Sequence, residues 1–154
     1  MHATSLPLIY VFFMNITRET FDKSERLCSR KIIEKLFENG NIFYNSLFKV
    51  VWEKSPDKLP GPAQVAFSVS KRGFSLAVTR NLIKRRMREA YRKSKMTLYD
   101  HLNRQKIQIV FVVILKGKSV PDYATIEKGI KEVINKLNVL NSLKSEDGSQ
   151  KSDS

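Results

Sequence analysis

Two histidines, one cysteine and one tryptophan in 154 residues leave this chain short of the side chains that most often carry protein chemistry. The lone Cys28 excludes an internal disulfide framework, and with only His2 and His101 beside it no structural zinc site can be assembled. A reducing compartment such as the cytoplasm is the expectation that follows. Cys28 has no His near it in sequence to activate a thiolate, so it reads as a small apolar residue near a helix start rather than a nucleophile. Long apolar runs are missing too. Leu6 to Met14 (LPLIYVFFM) is nine residues, far below the ~20 that span a bilayer. No Lys or Arg precedes it and no small-residue cleavage pattern follows before Arg18, so a signal peptide is not indicated. Residues 1–22 are set apart as an N-terminal extension, with Met14 as an alternative start.

Acidic residues are also scarce. Fifteen Asp and Glu stand against 28 Lys and Arg, giving a net charge of +13 and a pI near 10.0. An imbalance of that size points to a polyanionic partner, nucleic acid first and an anionic membrane surface as the competitor. With 42% apolar and 28% charged residues the chain fits a single globular core rather than a collagen-like or fully disordered composition. Asn141 to Ser154 (NSLKSEDGSQKSDS) is polar and Ser-rich, and reads as a disordered tail. The folded unit is therefore expected over residues 23–140, with no internal repeat.

Within that unit, Ile32, Ile33, Leu36 and Phe37 recur at helical spacing between a candidate N-cap, Ser29, and a terminating Gly40. Ile42 to Trp52 and Ala63 to Ser70 are β-rich, joined by the Pro- and Gly-containing loop SPDKLPGP as two antiparallel strands. A short further strand is expected through Phe74 to Val78. Ile107 to Leu115 (IQIVFVVIL) is the continuous apolar run of a central strand covered on both faces. After Pro121 and a candidate cap, Asp122, the residues Tyr123, Ile126, Ile130, Val133, Ile134 and Leu137 return to helical spacing. The order αβββαβα describes an α+β single-domain sandwich with helices packed on one sheet.

Between strand and central run lies the most basic stretch of the chain. Lys71 to Lys95 holds ten basic residues against the single acid Glu89. On a helical wheel Ile83, Met87, Ala90, Tyr91 and Ser94 share one face, while Arg80, Asn81, Lys84, Arg85, Arg88, Arg92 and Lys95 fill an adjoining arc of roughly 140°. A charged helix face is commonly just solvated, but then acids are interleaved with the bases. Here they are not, and an external anion is the simplest agent of neutralisation. Arginine suits that task because its planar fork grips phosphate oxygens bidentately.

The string FSVSKRGFSLAVTRNLIKRRMREAYR, Phe67 to Arg92, resembles the protein subunit of bacterial ribonuclease P, whose signature reads like AVxRNRxKRxxREAxR. Ala77, Val78, Arg80, Asn81, Lys84, Arg85, Arg88, Glu89, Ala90 and Arg92 occupy the corresponding places. Upstream, KSERLCSRKIIEKLFENG, Lys23 to Gly40, is similar to that family's opening helix. One departure stands out: the arginine-asparagine-arginine triplet reads Arg80, Asn81, Leu82 here, and Arg86 is the nearby candidate to replace the missing arginine.

The resemblance implies a sandwich like the second domain of ribosomal protein S5, with a left-handed βαβ crossover carrying the basic helix. It implies a non-catalytic subunit of a ribonucleoprotein that removes the 5′ leader of precursor tRNA, with catalysis by the RNA subunit. Mg2+ is expected in the RNA-containing holoenzyme and no cofactor on the protein alone; the sequence offers no metal-site cluster of carboxylates or histidines. By the resemblance, Arg80, Asn81, Lys84, Arg85, Arg88 and Arg92 bind the catalytic RNA subunit. A cleft between the opening helix and the sheet takes the single-stranded leader, with Arg26, Phe37, Phe43, Phe48 and Lys71 as candidates for base stacking and phosphate contact. Regular alternation sets Phe43 and Phe48 on opposite faces, so only one of them lines the cleft unless a bulge intervenes.

Three rival readings exist. A DNA-binding module would show a helix-turn-helix partner rather than a flanking sheet, and neither DNA nor membrane is expected as a partner. A membrane-surface helix would need a stronger apolar face than Ile83, Met87, Ala90 and Tyr91 supply. A structural RNA binder of ribosomal type shares every bulk feature and differs only in the motif.

Overall fold

The structure, a computed structural model, describes residues 20–153, with side chains through Ser142. The Met14 alternative and residues 1–19 of the N-terminal extension lie outside the described residues. Helix α1 (Arg30–Asn39) starts where Ser29 Oγ accepts the Ile32 N–H at 3.3 Å. It ends at Gly40, where an added Cβ would lie 2.5 Å from the Leu36 carbonyl oxygen and 2.7 Å from Val51 Cγ1. Then come β1 (Asn41–Tyr44), β2 (Phe48–Lys54) and β3 (Ala63–Val69). The basic helix α2 (Ala77–Ser94), α3 (Met96–Gln105), β4 (Ile109–Leu115) and α4 (Tyr123–Asp153) complete the chain.

The four strands form one sheet in the order β1-β2-β4-β3. β2 runs antiparallel to β4 and β3 parallel to it, so α2 and α3 together make the crossover between the two parallel strands. One sheet face, with Phe48, Val50, Trp52, Val65, Phe111 and Val113, packs on α2, α3 and α4 through Ile83, Met87, Tyr91, Leu98, Leu102, Ile126, Ile130 and Leu137. The other face sets Val51, Val110 and Val112 against Leu27, Leu36 and Leu59. Each fully buried aliphatic or aromatic side chain of this kind contributes roughly 1.5–3 kcal/mol. β4 is central and covered on both sides, as its uninterrupted apolar run requires. Asp122 caps α4 by accepting the Thr125 N–H at 2.9 Å.

Several expectations are corrected. Ile42 to Trp52 is a hairpin, not one strand: Asn45 Oδ1 accepts the N–H groups of Leu47 and Phe48, turning the chain, and its amide donates to the Gly129 carbonyl on α4. β2 and β3 do run in opposite directions but are not neighbours, because β4 is inserted between them. No strand forms over Phe74 to Val78. The Phe74 N–H bonds the Ser70 carbonyl in a tight turn, and Arg80 Nη1 occupies the carbonyls of Phe74 and Ser75 at 2.8 and 2.9 Å, so the backbone has no free edge to pair. α3 has no counterpart in the sequence reading, although Leu98, Tyr99 and Leu102 carry its spacing.

The ends of the folded unit also move. Phe21 packs edge-on against Phe67 and Tyr91, with ring centroids at 6.0 and 5.7 Å, so the fold begins ahead of Lys23. At the other end α4 runs to Asp153 and Asn141 is fully buried, its amide donating to the Leu137 carbonyl. Asn141, the first residue of the expected tail, is therefore packed on the fold, and the Ser142 hydroxyl lies 3.1 Å from His101 Nε2.

Candidate nucleic-acid interface

α2 presents its two stripes as the wheel requires. Ile83, Met87, Ala90 and Tyr91 are buried, and Asn81, Arg85 and Arg88 are exposed beside a half-buried Lys84. Lys84, Arg85 and Arg88 form no ion pair among the described residues. Two members of the set are partly engaged. Arg80 folds back on the Phe74 and Ser75 carbonyls, bracing the start of the helix. Arg92 places Nε and Nη2 on the Glu89 carboxylate at 3.0 and 2.7 Å, which holds that carboxyl below the usual range.

Two other cations of the run serve the fold. Lys95, placed by the wheel on the wet arc, is 2% exposed; its ammonium donates to Glu25 and to the Thr20 carbonyl. Glu25 Oε1 also accepts the Tyr99 hydroxyl at 2.7 Å, and the Tyr91 hydroxyl donates to that of Tyr99 at 3.2 Å. Burial drives the Tyr91 and Tyr99 hydroxyls above the usual phenol range and keeps them neutral. Arg86 Nη1 donates to the Pro121 carbonyl at 2.9 Å, stitching α2 to the start of α4. It is thus committed elsewhere than to the place left by Leu82, which faces outward.

On the opposite side of the sheet, α1 covers Val51, Val110 and Val112 but leaves the far ends of the strands partly open. By strand alternation and register the open floor consists of Tyr44, Lys49, Ser68 and Ile114, with Ala66 deeper in. Phe37 of α1, 51% exposed, and Tyr44, 60% exposed, stand at its mouth. Lys116 Nζ lies 5.4 Å from the Tyr44 ring centroid, and the exposed Lys71 follows β3 at the same end. The loops after β3 and β4 touch there, since a Cβ on Gly73 would come 2.9 Å from the Gly117 carbonyl oxygen.

Phe43 and Phe48 are corrected as cleft residues. Phe43 pairs with Val50 across the hairpin, so it shares a face with Phe48, and that face is the one under α2 and α4. Phe48 is fully buried and Phe43 packs beside it. The residue of β1 on the open floor is Tyr44, which the sequence reading missed, with Ile42 on the same face beside the row under α1; their alternation with Phe43 was the available signal. Arg26 is exposed beside Phe21, its Cζ 5.7 Å from the ring centroid. Arg26, Cys28, Ala66, Phe67 and Arg88 line a pocket of about 250 Å³. The two residue sets, assigned to separate RNAs, therefore meet at this pocket through Arg26 and Arg88. Cys28 is exposed there rather than packed as an apolar residue.

Among the described residues no group of three His, Cys, Asp or Glu side chains could hold a metal ion, and no helix is long and apolar enough to cross a membrane.

A family model described as Ribonuclease P matches residues 21–138. A ribonuclease P protein component of Porphyromonas gingivalis is 33% identical over 110 residues, covering 71% of this chain and 80% of that protein. Another from Chlorobium phaeobacteroides is 32% identical over 125 residues, covering 75% and 86%. Among solved structures, the RNase P protein of Staphylococcus aureus superposes with a TM-score of 0.59 at 21% identity, covering 73% of this chain and 94% of that one. The RNase P protein of Thermotoga maritima gives 0.59 at 22% identity, covering 73% and 96%. The structural likenesses speak for the fold, and the sequence matches for the family.

Proposed function

Because the chain belongs to the family of bacterial ribonuclease P protein components, and is thus the protein subunit of a tRNA-processing ribonuclease, we propose that its two open surfaces divide the RNA between them. The α2 face, with Asn81, Lys84, Arg85 and Arg88 and the partly engaged Arg80 and Arg92, holds phosphates of the catalytic RNA subunit. The observation that carries this reading is the run of Lys84, Arg85 and Arg88 on α2, none of which has an acidic partner among the described residues. Each phosphate neutralised releases condensed counterions, so binding is strong at low salt and indifferent to sequence.

The floor of Tyr44, Lys49, Ser68 and Ile114, flanked by Phe37, Lys71 and Lys116, takes the single-stranded leader of precursor tRNA. Aromatic faces at its mouth accept any base by stacking, and the lysines follow the backbone. The leader and the RNA subunit converge, in this reading, at the pocket that Arg26 and Arg88 share. In this reading the protein binds and orients, while Mg2+-dependent hydrolysis belongs to the RNA in the cytoplasm.

The test is cleavage of a precursor tRNA at low Mg2+ by the cognate RNA subunit, with the protein, without it, and by the protein alone. Stimulation only when both are present is the expected result. Unaltered cleavage with salt-dependent RNA binding retained would leave a structural RNA binder of ribosomal type.

A further inference from the structure

We propose that Val78 and Leu82 on α2, completed by Val120, form a seat for the face of one unpaired nucleobase of the catalytic RNA subunit. The inference rests on the reading of α2 as the RNA-subunit face. Val78 is 81% exposed and Leu82 39%, on a helix whose remaining outward positions are almost all charged or polar. Four residues apart, they stack one above the other on the same side of the helix, roughly opposite the buried stripe of Ile83, Met87 and Tyr91. Neither position serves the core.

The loop after β4 is anchored at two points to the segment that carries α2. Gly117 touches Gly73 ahead of α2, and the Pro121 carbonyl is held by Arg86, one helical turn beyond Leu82. Val120, half exposed, is carried between those two anchors. By helical position Arg85, beside Asn81, borders the strip along one edge, and Arg86, its Nη1 on the Pro121 carbonyl, along the other.

The width decides the partner. Two or three aliphatic side chains are far below the ~800 Å² that each partner commits to a protein interface. A lipid surface would demand a longer apolar face with aromatic or leucine side chains along it. A strip about one base wide, edged by cations, matches a nucleotide splayed from its stack, with the base on the methyl groups and the flanking phosphates on the cations.

The test uses the full chain with Val78→Ser and Leu82→Ser combined, titrated against a transcript of the cognate RNA subunit over a salt series. Thermal melting should match the parent, because neither side chain is buried. Affinity should fall about tenfold, with the slope of log affinity against log salt unchanged because no phosphate contact is lost. Arg85→Ala, measured in parallel, should lower that slope by about one unit. Unchanged affinity in the double variant overturns the inference, and so does a change in its slope. If Arg85→Ala still lowers the slope, the RNA-facing reading of α2 survives that failure; an unaltered slope in Arg85→Ala strikes the broader reading itself.

Discussion

Replacing Lys95 by Met keeps the length of the side chain and removes its charge from the buried clasp that ties the N-terminal turn to the end of the basic helix. Lys95 is 2% exposed and Glu25 12%, so both ions are largely withdrawn from water. Breaking such a pair by deleting one partner costs about 3–5 kcal/mol, chiefly because the other charge is left buried. Glu25 would still accept the Tyr99 hydroxyl and the Asp22 N–H, each at 2.7 Å. That places the loss at the lower end, near 3 kcal/mol, and at roughly 2–4 °C per kcal/mol the melting temperature falls by about 6–12 °C. Adding Glu25→Gln should recover part of the loss, because it removes the stranded charge. The exposed pair of Lys131 and Glu127, 3.7 Å apart, supplies the control, with Lys131→Ala shifting stability by less than about 1 kcal/mol. Urea denaturation of the four proteins reads all of these terms. Equal stability of Lys95→Met and Lys131→Ala would refute the argument that the clasp matters because it is buried.

Two further outcomes separate core from cleft and test the buried phenols. Phe48→Ala should cost about 3–5 kcal/mol of stability, whereas Tyr44→Ala should leave melting unchanged and weaken leader affinity by about 1–3 kcal/mol; the reverse pattern, read by melting and leader titration, would return Phe48 to the cleft. Because burial raises Tyr91 and Tyr99 above the ordinary value of 10.0, the unfolded chain releases these protons first as pH rises. Stability is therefore full below pH 10 and declines above it, by about 1.4 kcal/mol per pH unit for each tyrosine. Tyr91→Phe should reduce that alkaline slope in melts between pH 8 and 11.5, and identical slopes would refute the assignment.

The strands and helices with strong periodicity were legible because each states its burial in its own residues. Ile107 to Leu115 carries the apolar run of a doubly covered strand, formed over Ile109–Leu115, and Ser29 and Asp122 could cap the helices they precede without help from elsewhere. The basic arc was legible for the same reason, since its chemistry needs only a helix and a count of charges. What escaped were features decided by a distant partner. Asn45 turns the hairpin and is itself held by Gly129, and this reversed the face on which Phe43 lies. Phe74 to Val78 has a strand-like composition, yet Arg80 takes its carbonyls.

Sequence by itself determined the α+β class of the fold, the polyanionic character of the partner, the motif that fixes the family and the two stripes of α2, but not the division of the core into two clusters by the sheet. These depend on composition and on local spacing, which a linear chain carries in full. Tertiary structure alone decided that Lys95 is a buried tether, that Arg86 is spent on Pro121, that Tyr44 is exposed where Phe48 is buried, and that Arg26 and Arg88 line one pocket. Each of those depends on which groups, dozens of residues apart, share a desolvated space, and no local pattern encodes that.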